Sequence, residues 1–241
     1  MKPEKYELAV FPNAENLAQA AAGDWLKEIE QAPTGGAPYC VALSGGRIAR
    51  QFFSLTASQA KIRGMTLEHV HFFWGDERCV PPDDPESNVG MARELLFAPL
   101  GIPARQIHRI RGEAPPAVAA TEAAAEICRI APLDAAGQPV LNLIFLGMGE
   151  DGHVASLFPG ESEAVMASRP VYREVTAIKP PPLRITLGYP AIAAARQAWV
   201  LASGAGKEKA LRESLSPEGK TPLARVLASR ARTRILTDIV L

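Results

Sequence analysis

The chain of 241 residues carries 26 lysines and arginines against 26 aspartates and glutamates, so its formal net charge is zero. This balance argues against a protein that binds nucleic acid through overall positive charge. We find no apolar run long enough to cross a bilayer, and the charged start lacks the apolar core of a secretory signal. We therefore expect a cytoplasmic protein, in which the widely spaced Cys40, Cys79 and Cys128 are reduced thiols without zinc spacing.

Strands and helices alternate along the chain, which predicts an α/β fold with a mostly parallel sheet and helices on both faces. No long linker interrupts the pattern, so residues 1–241 are interpreted as one domain. Asn13 and Asn88 are predicted to cap the helices that follow them. The predicted strands cover residues 6–11, 39–43, 69–74, 140–146, 171–177, 184–189, 197–203 and 233–240, and the predicted helices cover 14–32, 47–55, 89–97, 121–130 and 207–215.

A glycine pair follows the second predicted strand, in "VALSGGRIARQFF". Ser44, Gly45 and Gly46 lead directly into a helix, whose free N–H groups and dipole favour an anion. Arg47 can add a bidentate contact to phosphate. The segment matches neither a Walker sequence nor a complete GxGxxG, so a nucleotide is not indicated. A phosphate site and a plain strand-to-helix turn both remain open here.

Charged side chains follow the third predicted strand, in "FFWGDERCVPPDDPESNVG". Because strand ends of such sheets line the ligand crevice, Arg78 is a candidate for binding a substrate anion. Asp76 or Glu77 would accept sugar hydroxyls or orient Arg78. A solvated charged turn is the alternative for each of them.

The most informative segment is "LGMGEDGHVASLFPG", which follows the most apolar strand. His153 can take a proton from water near neutral pH, and Asp151 is close enough in sequence to position it. The tight turn suggests backbone N–H groups at Gly149 and Gly152 as donors to an oxyanion, and "ASLF" is expected to begin a helix. Paired-histidine and HExxH patterns are absent, so a metal is not predicted. The remaining histidines, His69, His71 and His108, are interpreted as structural.

Two late basic residues complete the candidates. Arg184 lies in "RITLGYP", and Lys207 lies near the helix start in "LASGAGKEKAL". A lysine in this position can reach a phosphate as a point charge. An ordinary solvated helix lysine is the alternative for Lys207.

Taken together, "LSGG", "WGDERCVPPDDPESN", "LGMGEDGHVASLFPG", "RITL" and "GKEKAL" resemble the 6-phosphogluconolactonase family in the expected order over most of the chain. The third segment is the most specific. Members of that family resemble glucosamine-6-phosphate deaminases in fold, so the resemblance implies a Rossmann-like α/β sheet of the NagB/RpiA-like type. It also implies hydrolysis of 6-phosphogluconolactone in the pentose phosphate pathway, without metal or organic cofactor.

The resemblance places the family's general base on His153 and its phosphate loop on Ser44, Gly45 and Gly46. It places the basic contacts on Arg78, Arg184 and Lys207. The chain departs from the family at Arg47-Ile48-Ala49, where Ser-Thr-Pro is common, and at Gly188 and Ala193, where Thr and Asn are common. We expect a phosphorylated sugar lactone as the partner, neither nucleic acid nor membrane, and a monomer or weak homo-oligomer.

Two rival functions remain at this point. A glucosamine-6-phosphate deaminase would share the "SGG" and "DGH" regions, but such enzymes usually continue "DGH" with "IAFNEP". A non-catalytic sugar-phosphate sensor would need a DNA-binding segment, and no helix-turn-helix or basic face is evident. Ammonia release, or tight sugar-phosphate binding without turnover, would identify these rivals.

Overall fold

A six-stranded parallel sheet forms the centre of the molecule. The computed structural model describes residues 5–33 and 35–241. The predicted Rossmann-like α/β fold is confirmed within these residues. The charged start used to argue against a secretory signal includes residues 1–4, which lie outside the described part.

The strands of this sheet are β1 (Tyr6–Val10), β2 (Tyr39–Leu43), β3 (Val70–Trp74), β5 (Leu143–Gly147), β8 (Gln197–Ala202) and β9 (Thr233–Thr237), in the order β1-β9-β8-β5-β2-β3. A second sheet is antiparallel and contains β4 (Asp76–Arg78), β7 (Leu183–Leu187) and β6 (Tyr172–Thr176). The helices are α1 (Ala14–Gln31), α2 (Arg47–Arg63), α3 (Asn88–Ala92), α4 (Ala98–Leu100), α5 (Pro116–Ile130), α6 (Glu163–Met166), α7 (Tyr189–Ala194), α8 (Glu208–Leu215) and α9 (Pro222–Ser229).

The central strands are apolar because helices cover both faces of the sheet. Every residue of β2 is buried, and so are the first four residues of β5, which requires cover on both faces of the sheet. On one face, Trp25 of α1 packs edge-on against Phe145 of β5, with ring centroids 5.1 Å apart. Phe52 of α2 packs against Phe145 as well, at 4.6 Å. Aromatic contacts of this kind anchor α1 and α2 to the sheet beneath the candidate site.

One of the two predicted helix caps is confirmed and the other is wrong. The side chain of Asn13 accepts a hydrogen bond from the N–H of Asn16 at 2.9 Å and caps α1. The cap of α3 is Ser87, whose Oγ accepts from the N–H of Gly90 at 3.1 Å. Asn88 is already helical, and its side chain instead donates to the carbonyl of Asp76 at 2.9 Å.

Two further features differ from the sequence-based expectation. The strands near 172–176 and 183–187 leave the parallel sheet. The strand near 183–187 pairs on one side with Asp76–Arg78, so that Arg78 lies opposite Arg184, and on its other side with the strand near 172–176. The expected helix at "ASLF" does not form. Residues 154–157 make a tight turn closed by a bridge from Val154 to Leu157, and Ala155 has φ 50°.

The strand order reverses between β2 and β5, which places a crevice there. The chain runs from β2 to β3 on one side, whereas β5, β8 and β9 follow on the other side. Open α/β sheets bind ligands outside the carboxyl ends of the strands at such a point. Within the described residues, no helix combines the length and the apolar character that crossing a membrane requires.

Candidate active site

A cavity of about 310 Å³ opens at the carboxyl ends of β2, β3, β5 and β8, and we call it the carboxyl-edge cavity. Loops that are distant in sequence meet there; a Cβ on Gly147 would lie only 3.7 Å from the carbonyl oxygen of Gly45. The predicted site residues that line it are Ser44, Gly45, Gly46, Arg47, Arg78, His153, Arg184 and Lys207.

The glycine loop presents a helix N-terminus to this cavity. Gly46 has φ 100°, a conformation that side chains disfavour, and α2 begins at the next residue without a side-chain cap. Uncapped N–H groups at a helix start bind anions well, because the helix dipole adds to their hydrogen bonds. The hydroxyl of Ser44 is engaged elsewhere, since it donates to the carbonyl of Phe145 at 2.8 Å. Ser44 therefore ties the loop to β5 and has no hydroxyl proton left for a phosphate.

Lys207 and Arg47 form one cationic group of the cavity. Burial lowers the pKa of Lys207, and the positive charge of Arg47 lowers it further, while Glu150 and Asp238 oppose the shift. The loop that carries Lys207 is fixed by Asp238. The Asp238 carboxylate accepts from Ser203 Oγ at 2.8 Å and from the Gly204 N–H at 3.1 Å. An anion bound here would relieve the repulsion between the two cations.

Arg78 and Arg184 form a second cationic group, supplied by the antiparallel sheet. They lie opposite each other on β4 and β7. Burial lowers the pKa of Arg184, and the neighbouring Arg78 adds to the effect. Arg184 donates to the carbonyls of Pro181 and Lys179 at 3.1 and 3.3 Å, whereas Arg78 Nη1 donates to the Glu86 carboxylate at 3.1 Å. Each guanidinium is thus oriented while it also lines the cavity.

His153 lies at the rim of the cavity with its imidazole held from one side. Nδ1 is 2.5 Å from Asp151 Oδ1, and the His153 side chain is 24% exposed. A Cβ on Gly149 would lie 2.1 Å from the imidazole, so glycine is required there to make room for the ring. Because Nδ1 faces the carboxylate, Nε2 is the ring nitrogen available to exchange a proton.

Asp151 is suited to orient this imidazole as an ionised carboxylate. Burial raises the pKa of Asp151, but the charge of His153 and the hydrogen bonds from its ring and backbone outweigh burial and leave the pKa below its ordinary value. The backbone N–H of His153 donates to the same oxygen at 3.2 Å. The short loop therefore positions base and carboxylate as one unit.

The two predicted oxyanion donors are not free in this structure. The N–H of Gly149 donates to the carbonyl of His153 at 2.9 Å, and the N–H of Gly152 donates to the carbonyl of Gly149 at 3.1 Å. Both bonds close the tight turn that carries the imidazole. The expectation that these amides would bind an oxyanion is therefore not met, because the turn consumes them.

Asp76, one of the two candidates for accepting sugar hydroxyls, and Asn88 also line the cavity. Asp76 is 5% exposed, and its Oδ2 accepts from Ser156 Oγ at 2.6 Å. Asn88 is 1% exposed, and the sequence pattern predicts it only as a helix cap. The position of Asp76 at the end of β3 indicates in the sequence that it lines the crevice. Nothing in the sequence shows that Asn88 is a site residue and not only a helix cap. His71 and His108 lie elsewhere, with His71 Nδ1 2.9 Å from His108 Nε2.

The fold and the site define a Rossmann-like α/β protein with a cavity lined by four cationic side chains at its topological switch point. The chain belongs to the family described as glucosamine-6-phosphate isomerases/6-phosphogluconolactonase, whose model matches residues 12–235. The resemblance found in the sequence is thereby confirmed.

Individual relatives agree with this membership. The chain is 34% identical over 239 residues to a 6-phosphogluconolactonase from Streptomyces coelicolor, with 96% of this chain and 92% of the relative covered. The structure of 6-phosphogluconolactonase from Trypanosoma brucei is 28% identical, with a TM-score of 0.84 and 95% of each chain covered. A monomeric glucosamine-6-phosphate deaminase superposes with a TM-score of 0.77 and 96% of each chain covered, but at 19% identity it shows the fold alone.

Proposed function

We propose that the chain hydrolyses 6-phospho-D-glucono-1,5-lactone to 6-phospho-D-gluconate, a step of the oxidative pentose phosphate pathway. The observation that best supports this function is the position of His153. Asp151 fixes the imidazole through Nδ1, so that Nε2 is available for proton transfer, and the ring lies at the rim of a cavity lined by four cationic side chains. The relatives named 6-phosphogluconolactonase support the choice of substrate. The proposed reaction uses no metal or organic cofactor, and we place it in the cytoplasm.

The phosphate of the substrate would bind at the start of α2. The uncapped N–H groups after Gly46, with Arg47 and Lys207 beside them, supply donors and positive charge in one place. Anchoring the substrate by a group remote from the reacting carbon provides binding energy for orientation. The guanidinium of Arg47 takes the place of the hydroxyl contacts that a Ser-Thr-Pro sequence would offer.

His153 would act as the general base. Its Nε2 accepts a proton from the attacking water, whose oxygen forms a bond to the lactone carbonyl carbon. Asp151 holds the opposite ring nitrogen and stabilises the imidazolium that results. When the tetrahedral intermediate collapses, the bond from the carbonyl carbon to the ring oxygen breaks, and the imidazolium returns its proton to that oxygen. The mechanism needs no covalent enzyme intermediate.

The oxyanion would be stabilised by guanidinium groups rather than by the turn amides. The rings of His153 and Phe158 have centroids 4.8 Å apart, and the guanidinium carbon of Arg184 lies 5.7 Å from the centroid of the same Phe158 ring. Arg184 is therefore on the imidazole's side of the cavity, with Arg78 next to it. Fixed donors aimed at developing negative charge are among the strongest catalytic devices in enzymes.

A coupled assay with freshly generated lactone tests the proposal. The rate of 6-phosphogluconate formation is measured fast enough to exceed spontaneous ring opening, which is subtracted with a blank. Turnover that saturates with lactone is the expected result. Absence of turnover, or release of ammonia from glucosamine 6-phosphate, would overturn the proposal, and the latter would assign the deaminase activity instead.

A further inference from the structure

The side chain of Asn88 is fixed from one end only. Its Nδ2 donates to the carbonyl of Asp76 at 2.9 Å, and its backbone N–H donates to Glu77 Oε1 at 2.8 Å. The Nδ2 contact settles which end of the amide is the oxygen. That oxygen, Oδ1, is buried without a hydrogen-bond partner among the described residues. An unpaired buried acceptor costs free energy, so its position calls for a reason.

The unpaired oxygen packs closely against the glycine loop. A Cβ built on Gly45 would lie 1.8 Å from Asn88 Oδ1 and 2.6 Å from Asn88 Cγ. The amide of Asn88 thus occupies the space that any side chain at position 45 would need. Gly45, unlike Gly46, does not have the positive φ that favours glycine. Its lack of a side chain is therefore required by Asn88 rather than by the backbone conformation.

This contact joins the glycine loop to the segment that carries Arg78 and Asn88, and both segments line the cavity. Gly45 precedes the start of α2, where the phosphate is proposed to bind. Asn88 belongs to the segment that Glu77 holds, since the Glu77 carboxylate accepts from the backbone N–H groups of Arg78, Asn88 and Val89 at 2.8 Å each. The segment that Glu77 holds, which includes Arg78 and Asn88, therefore packs directly against the glycine loop.

We propose that Asn88 is a positioning residue that sets where the glycine loop stands relative to Arg78 and Arg184. The packed amide fixes the distance between the anion site at α2 and the guanidinium groups, and so fixes where a phosphorylated substrate places its reacting carbon. This inference rests on the proposed function for the identity of the substrate. Helix capping does not account for Asn88, because Ser87 performs it.

A double-mutant cycle on Gly45→Ala and Asn88→Ala tests the contact. The dissociation constant of inorganic phosphate is measured by calorimetry, and kcat and KM are measured with lactone. In the presence of Asn88, the methyl group introduced at position 45 displaces the loop, and we expect phosphate affinity to fall roughly tenfold or more, as for a lost charged hydrogen bond. Asn88→Ala alone should raise KM several-fold, with a smaller change in kcat.

The decisive variant is the double substitution. Removal of the Asn88 amide makes room for the new methyl group at position 45, so Gly45→Ala should change phosphate affinity less than about twofold in the Asn88→Ala background. If the loss of phosphate affinity in the double variant equals the product of the losses in the two single variants, the proposal is overturned. If Gly45→Ala alone does not fold, recovery of folding in the double variant supports the contact, and failure of both variants to fold overturns it.

Ser87→Ala is the matched control. It removes the cap of α3 and the 3.3 Å hydrogen bond from Ser87 Oγ to Glu77 Oε2, but it keeps the Asn88 amide, Gly45 and the three backbone hydrogen bonds to Glu77. It should therefore lower the melting temperature and leave phosphate affinity unchanged. Reduced phosphate affinity in this variant would overturn the proposal in favour of a general effect of α3 stability. If the wild type binds phosphate but does not hydrolyse the lactone, the proposed function is wrong, and the double-mutant cycle still tests the positioning role through phosphate affinity. If the wild type does not bind phosphate, both the proposed function and the positioning role are overturned.

Discussion

The two sheets contribute to the carboxyl-edge cavity in different ways. The parallel sheet supplies the imidazole and the helix start through loops that directly continue β5 and β2. The antiparallel sheet supplies Arg78 and Arg184 from within its strands, where the paired backbone fixes them. The parallel sheet thus provides groups on short turns, and the antiparallel sheet provides charges on a rigid support. We expect the first to govern proton transfer and phosphate binding, and the second to govern oxyanion stabilisation.

The largest effect is expected at the imidazole. His153→Ala should lower kcat by roughly 10²- to 10⁴-fold with little change in KM, because general-base loss acts on the chemical step. The measurement is the coupled lactone assay after subtraction of spontaneous hydrolysis. Wild-type turnover in this variant would remove His153 from the mechanism and leave the antiparallel sheet as the main catalytic element.

Arg184→Met tests whether the antiparallel sheet contributes to oxyanion stabilisation. Loss of an oxyanion donor should lower kcat by roughly 10²- to 10³-fold. Arg173→Met is the control, because Arg173 lies on β6 of the same sheet and pairs with Glu161 at 2.7 Å, away from the cavity lining. A rise in KM with unchanged kcat in Arg184→Met would instead make this residue a phosphate ligand.

Lys207→Met tests the anion site of the parallel sheet. Loss of a charged contact costs about 1.5–3 kcal/mol, which corresponds to a roughly ten- to hundredfold rise in KM. The apolar stem of the lysine is preserved in methionine, so packing should change little. Lys209→Met, on the exposed side of α8, should leave KM unaltered. Equal KM values for the two variants would contradict the proposed phosphate position.

Asp151→Asn should have a smaller effect, about tenfold in kcat, because the carboxylate that orients the imidazole is partly exposed to solvent. Since the folded-state pKa of Asp151 is lowered, its stabilising contribution is present above the ordinary value of 3.8 and lost as pH falls through the lowered pKa. Denaturant titrations between about pH 5 and 3 should show a steeper loss of stability in the wild type than in the variant. Parallel curves would argue against this ionised pair.

The smallest expected effect is on stability, at Glu77. Burial raises the pKa of Glu77 to about 7, against the opposing hydrogen bonds of Asn88, Val89 and Arg78. The stability that this raised pKa contributes is full below the ordinary value of 4.5 and is lost as pH rises through about 7.

Unfolding free energies at pH 6 and pH 8 should therefore differ by about 1 kcal/mol in favour of pH 6, because the carboxyl group of the folded protein loses its proton between these two pH values. Glu77→Gln should reduce this difference, and the exposed Glu174→Gln should not. A wild type that is equally stable at both pH values would contradict the raised pKa.

The two sheets also differ in how far the sequence predicts them. The centre of the parallel sheet is encoded locally, because β2, β5 and β8 each lead through glycine into a helix or turn, as at Gly46 and His153. The antiparallel sheet depends on a pairing between residues 76–78 and 184–186 that no local pattern specifies. The predicted cap at Asn88 is wrong because Ser and Asn are equally good caps, and only the contact with Asp76 decides between them. The hydrogen bonds that consume the Gly149 and Gly152 amides likewise depend on the folded turn.

The presence of cations at two places in one small cavity has a consequence for the end of the catalytic cycle. Ring opening creates a carboxylate in a molecule that already bears a phosphate, so the departing compound is more anionic than the one that entered. Guanidinium groups that favour the oxyanion would also attract this new carboxylate. Release, rather than hydrolysis, would then limit turnover at low ionic strength, and added salt would speed the cycle until it begins to weaken substrate capture.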